Sequence, residues 1–185
     1  VFVETKSDFQ LDLDLFKAAI TSKTKAVIIN SPNNPTGMVY PQADLEIMAK
    51  LCLDKGIYLI ADDAYDKLTY NGHEHFSVGL ASLENFKNTI IIKSFSKTFC
   101  MTGFRIGYMV AHENLIKAVQ KFQGHLTGNN CTFVQHGALA AMDMSHTVID
   151  DMVSEFQKRS ELAYDLFSQI FDCQKPQGAF YLFCN

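Results

Sequence analysis

Lys97 stands at the end of an apolar run, in the stretch IIIKSFSKTFCMTGFRIGY (Ile90–Tyr108). Ser94 and Ser96 precede it, and Arg105, one of only two arginines in the chain, follows eight residues later. A lysine amine attacks carbonyls when its surroundings favour the unprotonated form, and it then serves as a Schiff-base residue. Hydroxyls and a guanidinium are donors suited to a phosphate. Two more polar clusters follow apolar runs in the same way. KAVIIN opens into SPNNPTG, which carries Asn34, and IYLIA opens into DDAYDK, which carries Asp62 and Tyr65. A carboxylate such as Asp62 can keep a ring nitrogen protonated, so that the ring accepts electrons from a carbanion.

Each of these residues also has an ordinary reading. SPNNPTG has the composition of a turn. Asp62 has the position of a cap for the following segment. Tyr65 would serve as an amphipathic wall residue, Lys97 as a solvated lysine and Arg105 as half of an ion pair. What weighs against these readings is that they must all hold at once.

The elements that would carry these clusters alternate between strand and helix. VFVE reads as a strand, and LDLDLFKAAI as a helix with Leu13, Phe16, Ala19 and Ile20 on one face. KAVIIN, IYLIADD, NTIIIKS and RIGYMVA read as strands. YPQADLEIMAKLCLDKG reads as a helix with Pro41 near its first turn and Gly56 as its stop. HENLIKAVQKFQGHL, FVQHGALAAMDM and a long amphipathic segment over about residues 147–170 complete the helices, and AFYLF reads as a last strand. Continuous apolar strands separated by helices predict an α/β fold with a mostly parallel sheet covered on both faces. Ligands of such sheets bind beyond the carboxyl ends of the strands, which is where the clusters fall.

Composition narrows the classes. The 185 residues are 48% hydrophobic, enough for one sizeable core. A formal net charge of −4 with no basic run argues against nucleic acid or an anionic membrane surface as partner. No apolar stretch approaches a membrane span, and VFVETKSDF does not read as a signal peptide. The five cysteines are scattered and never form a C-x-x-C pair, which predicts reduced thiols and a cytoplasmic location. His73, Glu74 and His75 lie in a turn-like stretch without a third ligand nearby, so no metal is expected. The chain starts on Val in strand-like sequence and ends in the alternating GAFYLFCN, and we expect it to be a piece of a longer protein.

A ligand that uses all these groups would carry a phosphate, a ring nitrogen wanting a carboxylate and a carbonyl wanting an amine. Pyridoxal phosphate has all of them. The sequence resembles the class I aminotransferases of pyridoxal-phosphate fold type I, nearest the bacterial-type aspartate aminotransferase branch. NSPNNPTG, DDAY, SFSKTF followed by MTG and RIGY, and PQGAFYLF carry the likeness in order along the whole chain.

The resemblance implies a three-layer α/β/α large domain over residues 1–172, with its N-terminal part missing, and the start of a small C-terminal α+β domain over 173–185. It implies that Lys97 holds the cofactor and moves the proton, that Asp62 partners the pyridine nitrogen, and that Asn34 and Tyr65 bond the phenolic oxygen. Ser94, Ser96 and Arg105 would contact the phosphate. A cis bond before Pro35 is implied as well. TGNN (Thr127–Asn130) resembles a segment near the partner subunit's active site, with loop filler close behind as its ordinary reading. The implied reaction moves an amino group from aspartate or a similar L-amino acid to 2-oxoglutarate, within a homodimer. A lyase of the same fold, of the carbon–sulfur or aminocyclopropane-carboxylate synthase type, shares the same cofactor shell. A non-catalytic relative is the reading from another class.

Overall fold

Residues 1–80 and 85–184 are described by a computed structural model. Helix α1 (Leu13–Ala19) starts where Asp12 accepts from the backbone of Asp14 and Leu15 at 3.0 and 2.9 Å, a side-chain N-cap. Helix α2 (Gln42–Asp54) follows Pro41, which occupies the capping position just before the first turn. The helix stops at Gly56, whose positive φ of 64° suits a residue without a side chain. Leu45, Met48, Ala49 and Cys52 form the buried stripe of α2 at the spacing of one helical face.

Strands β1 (Ala26–Asn30), β2 (Tyr58–Asp62), β3 (Thr89–Ser94) and β4 (Gly107–Ala111) form a single sheet in that order. The pairs β1–β2 and β2–β3 are parallel, and β3–β4 is antiparallel. The expected α/β architecture with a mostly parallel sheet is therefore present, as a mixed sheet. Val27, Ile29, Leu59 and Ala61 face the core with α2 and Phe16 of α1. On the opposite face Ile28 is 73% exposed and Ile92 42%.

The remaining helices are α3 (Phe95–Thr98), α4 (Glu113–Leu126), α5 (Thr132–Met142) and α6 (His146–Phe167). A second cluster packs Ala138 and Ala141 of α5 on Phe95 and Met101. A third packs Met152, Val153 and Phe156 of α6 around Tyr65, Leu68 and Ala179. Among the described residues no helix is long and apolar enough to cross a membrane.

Three local expectations are corrected. VFVE forms no strand, and its first two residues are fully exposed. Arg105 does not open a strand, because it ends a short 3-10 turn (Thr102–Phe104) with φ 52°, and β4 begins two residues later. AFYLF is not a strand either. Among the described residues its neighbourhood makes only isolated bridges, Thr69 with Gly178 and Cys173 with Cys184.

Candidate active site

Parallel pairing places the carboxyl ends of β1 and β2 side by side, with Asn30 in register with Asp62. The side chain of Asn30 exploits this. Its amide donates to the carbonyl of Asp62 at 2.9 Å, and its oxygen accepts from the backbone N–H of Asn34 at 2.7 Å. One polar side chain thus anchors the turn after β1 to the end of β2.

The turn holds its own shape as well. Asn33 accepts from the backbone and the hydroxyl of Thr36 at 3.3 and 2.8 Å, and Gly37 N–H donates back to Asn33 at 2.9 Å. The bonds Ser31–Pro32 and Asn34–Pro35 are both cis, so the isomer expected at Pro35 has a neighbour that was not foreseen.

After β2, an oxygen of Asp62 accepts from the backbone of Ala64 at 3.2 Å, the turn-capping contact its position allowed. Tyr65 is buried with its hydroxyl 2.5 Å from that of Tyr181. Burial pushes the Tyr65 phenol well above its ordinary value. The hydrogen bond and charge of Tyr181 and the charge of Asp62 add to this, and a hydrogen bond from Asn34 opposes it. Asn34 and Asp62 therefore both act on the Tyr65 phenol.

Lys97 lies on the one-turn helix α3, directly beyond β3. Its Nζ sits 6.0 Å from the ring centroid of Tyr65 and 5.3 Å from that of Phe180. Among the described residues its amine takes part in no hydrogen bond or ion pair, so two aromatic faces are its environment. Ser94 caps α3 by accepting from Ser96 N–H at 3.1 Å, and Ser96 is buried. Arg105 donates from Nη1 to the carbonyl of Thr102 at 2.9 Å and is exposed. Its neighbour Ile106 accepts from Phe95 N–H at 3.3 Å, which ties the backbone near Arg105 to the start of α3.

Asn34, Asp62, Tyr65 and Lys97 are thus brought together through side-chain contacts and charges. Ser94, Ser96 and Arg105 are gathered by backbone pairing at the adjoining corner. Sequence reasoning missed Phe180 and Tyr181 as members of the site. They lay within a quoted motif, PQGAFYLF, but were taken for a strand.

The segment docks because Gln177 and Gly178 N–H both donate to the Gly37 carbonyl at 2.9 Å, and Ala179 N–H donates to Leu68 at 2.8 Å. A Cβ at Gly178 would lie 2.6 Å from the Leu68 carbonyl oxygen, so only glycine permits this approach. His75 Nε2 lies 3.2 Å from Asp63 in a buried pair.

A profile describing aminotransferase class I and II matches residues 1–185. The chain belongs to this family. It is 42% identical to an aspartate aminotransferase of Geobacillus stearothermophilus, covering 100% of this chain and 48% of that protein. It is 43% identical to one from a Bacillus species, covering 98% and 47%. Among solved structures, a double mutant of the Thermus thermophilus aspartate aminotransferase superposes with a TM-score of 0.92 at 35% identity, over 100% of this chain and 49% of that one. The Thermotoga maritima aspartate aminotransferase gives 0.90 at 38% identity, over 98% and 48%. The chain spans about half the length of these relatives. Aspartate aminotransferases of this family depend on pyridoxal phosphate. The residues at the sheet edge fit that group: an amine against aromatic faces, a carboxylate, a phenol, an amide, and a corner of hydroxyls beside a guanidinium.

Proposed function

We propose that this chain forms the cofactor-binding part of a pyridoxal-phosphate-dependent aminotransferase. The donor would be aspartate or a similar L-amino acid, the acceptor 2-oxoglutarate, and the assembly a homodimer in the cytoplasm. One observation carries the reading: the Lys97 amine lies over the Tyr65 ring while Asn34 and Asp62 act on the Tyr65 oxygen.

Pyridoxal phosphate, when bound, supplies an aldehyde for a lysine amine and a protonated ring that draws electrons from the substrate α-carbon. Lys97 would hold the group covalently, and its Nζ, freed by substrate, would take the proton from the substrate α-carbon and deliver it to the carbon of the group that carries the nitrogen. Asp62 would keep the ring nitrogen protonated. Asn34 and Tyr65 would donate to the phenolic oxygen, and Ser94, Ser96 and Arg105 would hold the phosphate.

The test is borohydride reduction of the cofactor-loaded protein followed by peptide mapping, together with an assay of glutamate formed from aspartate and 2-oxoglutarate. Label at Lys97 with amino transfer supports the reading. Label at another lysine removes it. Label at Lys97 with keto acid released but no acceptor aminated replaces transfer with a lyase. No visible cofactor band points to a non-catalytic relative.

A further inference from the structure

The clusters that follow β2 and β3 must keep a fixed separation, yet the strand pairing between them ends at Asp62 and Ile92. Side chains carry the connection onward. Asp66, one residue after Tyr65, places Oδ2 2.5 Å from Lys93 Nζ, and its Oδ1 accepts from the Thr98 hydroxyl at 3.3 Å. Lys93 comes just before Ser94, and Thr98 just after Lys97. The two partners of Asp66 therefore bracket the Ser94–Lys97 segment.

The surroundings make this grip stiff. The side chains of Asp66 and Lys93 are only 13% and 19% exposed. Asp63 is more deeply buried. It lies 3.8 Å from Lys93, accepts from Ser77 at 2.7 Å and sits 3.2 Å from His75. Burial alone would depress the Lys93 pKa, but the Asp66 hydrogen bond and the charges of Asp66 and Asp63 outweigh it and raise it. A charged pair so enclosed is costly to break, because each half would be left buried and unpaired. Nothing in the phosphate, ring or amine contacts above uses Asp66.

We propose that Asp66 is a positioning residue of the site: by gripping Lys93 and Thr98 it sets the Tyr65 ring against the Lys97 amine. The inference rests on the cofactor reading above for what Tyr65 and Lys97 do. A displacement on the order of 1 Å between reacting groups can cost about a hundredfold in rate. Beside the backbone bond from Asp63 N–H to the Ile92 carbonyl at 2.9 Å, these Asp66 contacts tie the Tyr65 segment to the Lys97 segment.

The experiment compares Asp66→Asn, Asp66→Ala, Thr98→Val and Thr98→Ser in the cofactor-loaded protein, with circular dichroism to verify the fold. The visible band of the bound cofactor is titrated with pH, because its midpoint reports how firmly Tyr65 donates to the phenolic oxygen. The first three variants should move the midpoint upward by about 0.5 unit or more. They should also lower kcat by about tenfold to hundredfold while KM stays within about twofold. Thr98→Ser keeps the hydroxyl and should restore unaltered values. In the apoprotein, amide exchange over residues 64–68 should quicken in the same three variants. An unmoved midpoint in a folded Asp66→Ala or Thr98→Val protein overturns the proposal, whatever kcat does, and Thr98→Val decides if the Asp66 variants do not fold. Absence of the Lys97 borohydride label in the unaltered protein is a separate result, and it removes the cofactor reading along with the inference built on it.

Discussion

The hydroxyls of Tyr65 and Tyr181, 116 residues apart in sequence, meet at 2.5 Å, and the Tyr65 ring lies 6.0 Å from the Lys97 amine. Burial is the first cause of the high Tyr65 pKa, and Tyr181 adds to it. Tyr181→Phe should therefore bring the Tyr65 phenol part of the way back toward 10.0. An ultraviolet titration of tyrosinate should show one group ionising at lower pH than in the parent. Loss of one tyrosinate with every remaining group ionising as in the parent would mean that the two hydroxyls do not interact in solution.

Replacement of Lys97 by alanine should remove amino transfer, by a factor on the order of 10⁴, with little change in melting temperature. The amine makes no hydrogen bond among the described residues, so the fold loses only its contact with two rings. Rates from purified protein, measured beside a thermal melt, check both halves of the expectation.

Asp62→Asn should leave the cofactor bound and slow proton removal from the substrate by about a hundredfold or more. The amide oxygen still accepts from Ala64 N–H, so the turn after β2 survives while the charge proposed to partner the ring nitrogen is lost. Single-turnover rates that match the parent would reduce Asp62 to a turn-capping residue.

Gly178→Ala should destabilise the protein by about 1–3 kcal/mol. The new methyl would press on the Leu68 carbonyl at 2.6 Å and on Pro32 at 2.9 Å, so the backbone must shift. Because Phe180 and Tyr181 follow at once, cofactor affinity should fall with stability. Denaturant unfolding and a cofactor titration measure the two effects separately.

Cys52, fully buried on α2, has its thiol pushed up from 9.0 to about 11 by burial. A raised folded-state value means that the stabilisation is complete below 9.0 and is lost as pH climbs through about 11. Unfolding midpoints should fall over that window, and less steeply in Cys52→Ala. Brief alkylation at neutral pH should label the exposed Cys100 and Cys131 and spare Cys52, as read by mass spectrometry.

Much of this was legible in the sequence, for a physical reason. Apolar runs of strand length and helices with a buried stripe, such as Leu45, Met48, Ala49 and Cys52, are local patterns that repeat with the geometry of the backbone. An α/β sheet with polar residues at its carboxyl edge follows from them, and so does the grouping of Asn34, Asp62, Tyr65 and Lys97. The tertiary structure alone decided what the chain does between and beyond those elements. The segment AFYLF has the alternation of a strand, yet pairing of its start with Gly37 and Leu68 turns it into a strap that carries Phe180 to Lys97 and Tyr181 to Tyr65. Arg105 follows the apolar pattern into β4 but is set outside it by a turn. Asp63, Asp66, Lys93 and His75 look like scattered surface charges and become a buried network only when β2 and β3 lie side by side. Local sequence carries backbone preference, whereas the cost of burying a charge, and so the choice of its partner, depends on what the rest of the fold places around it.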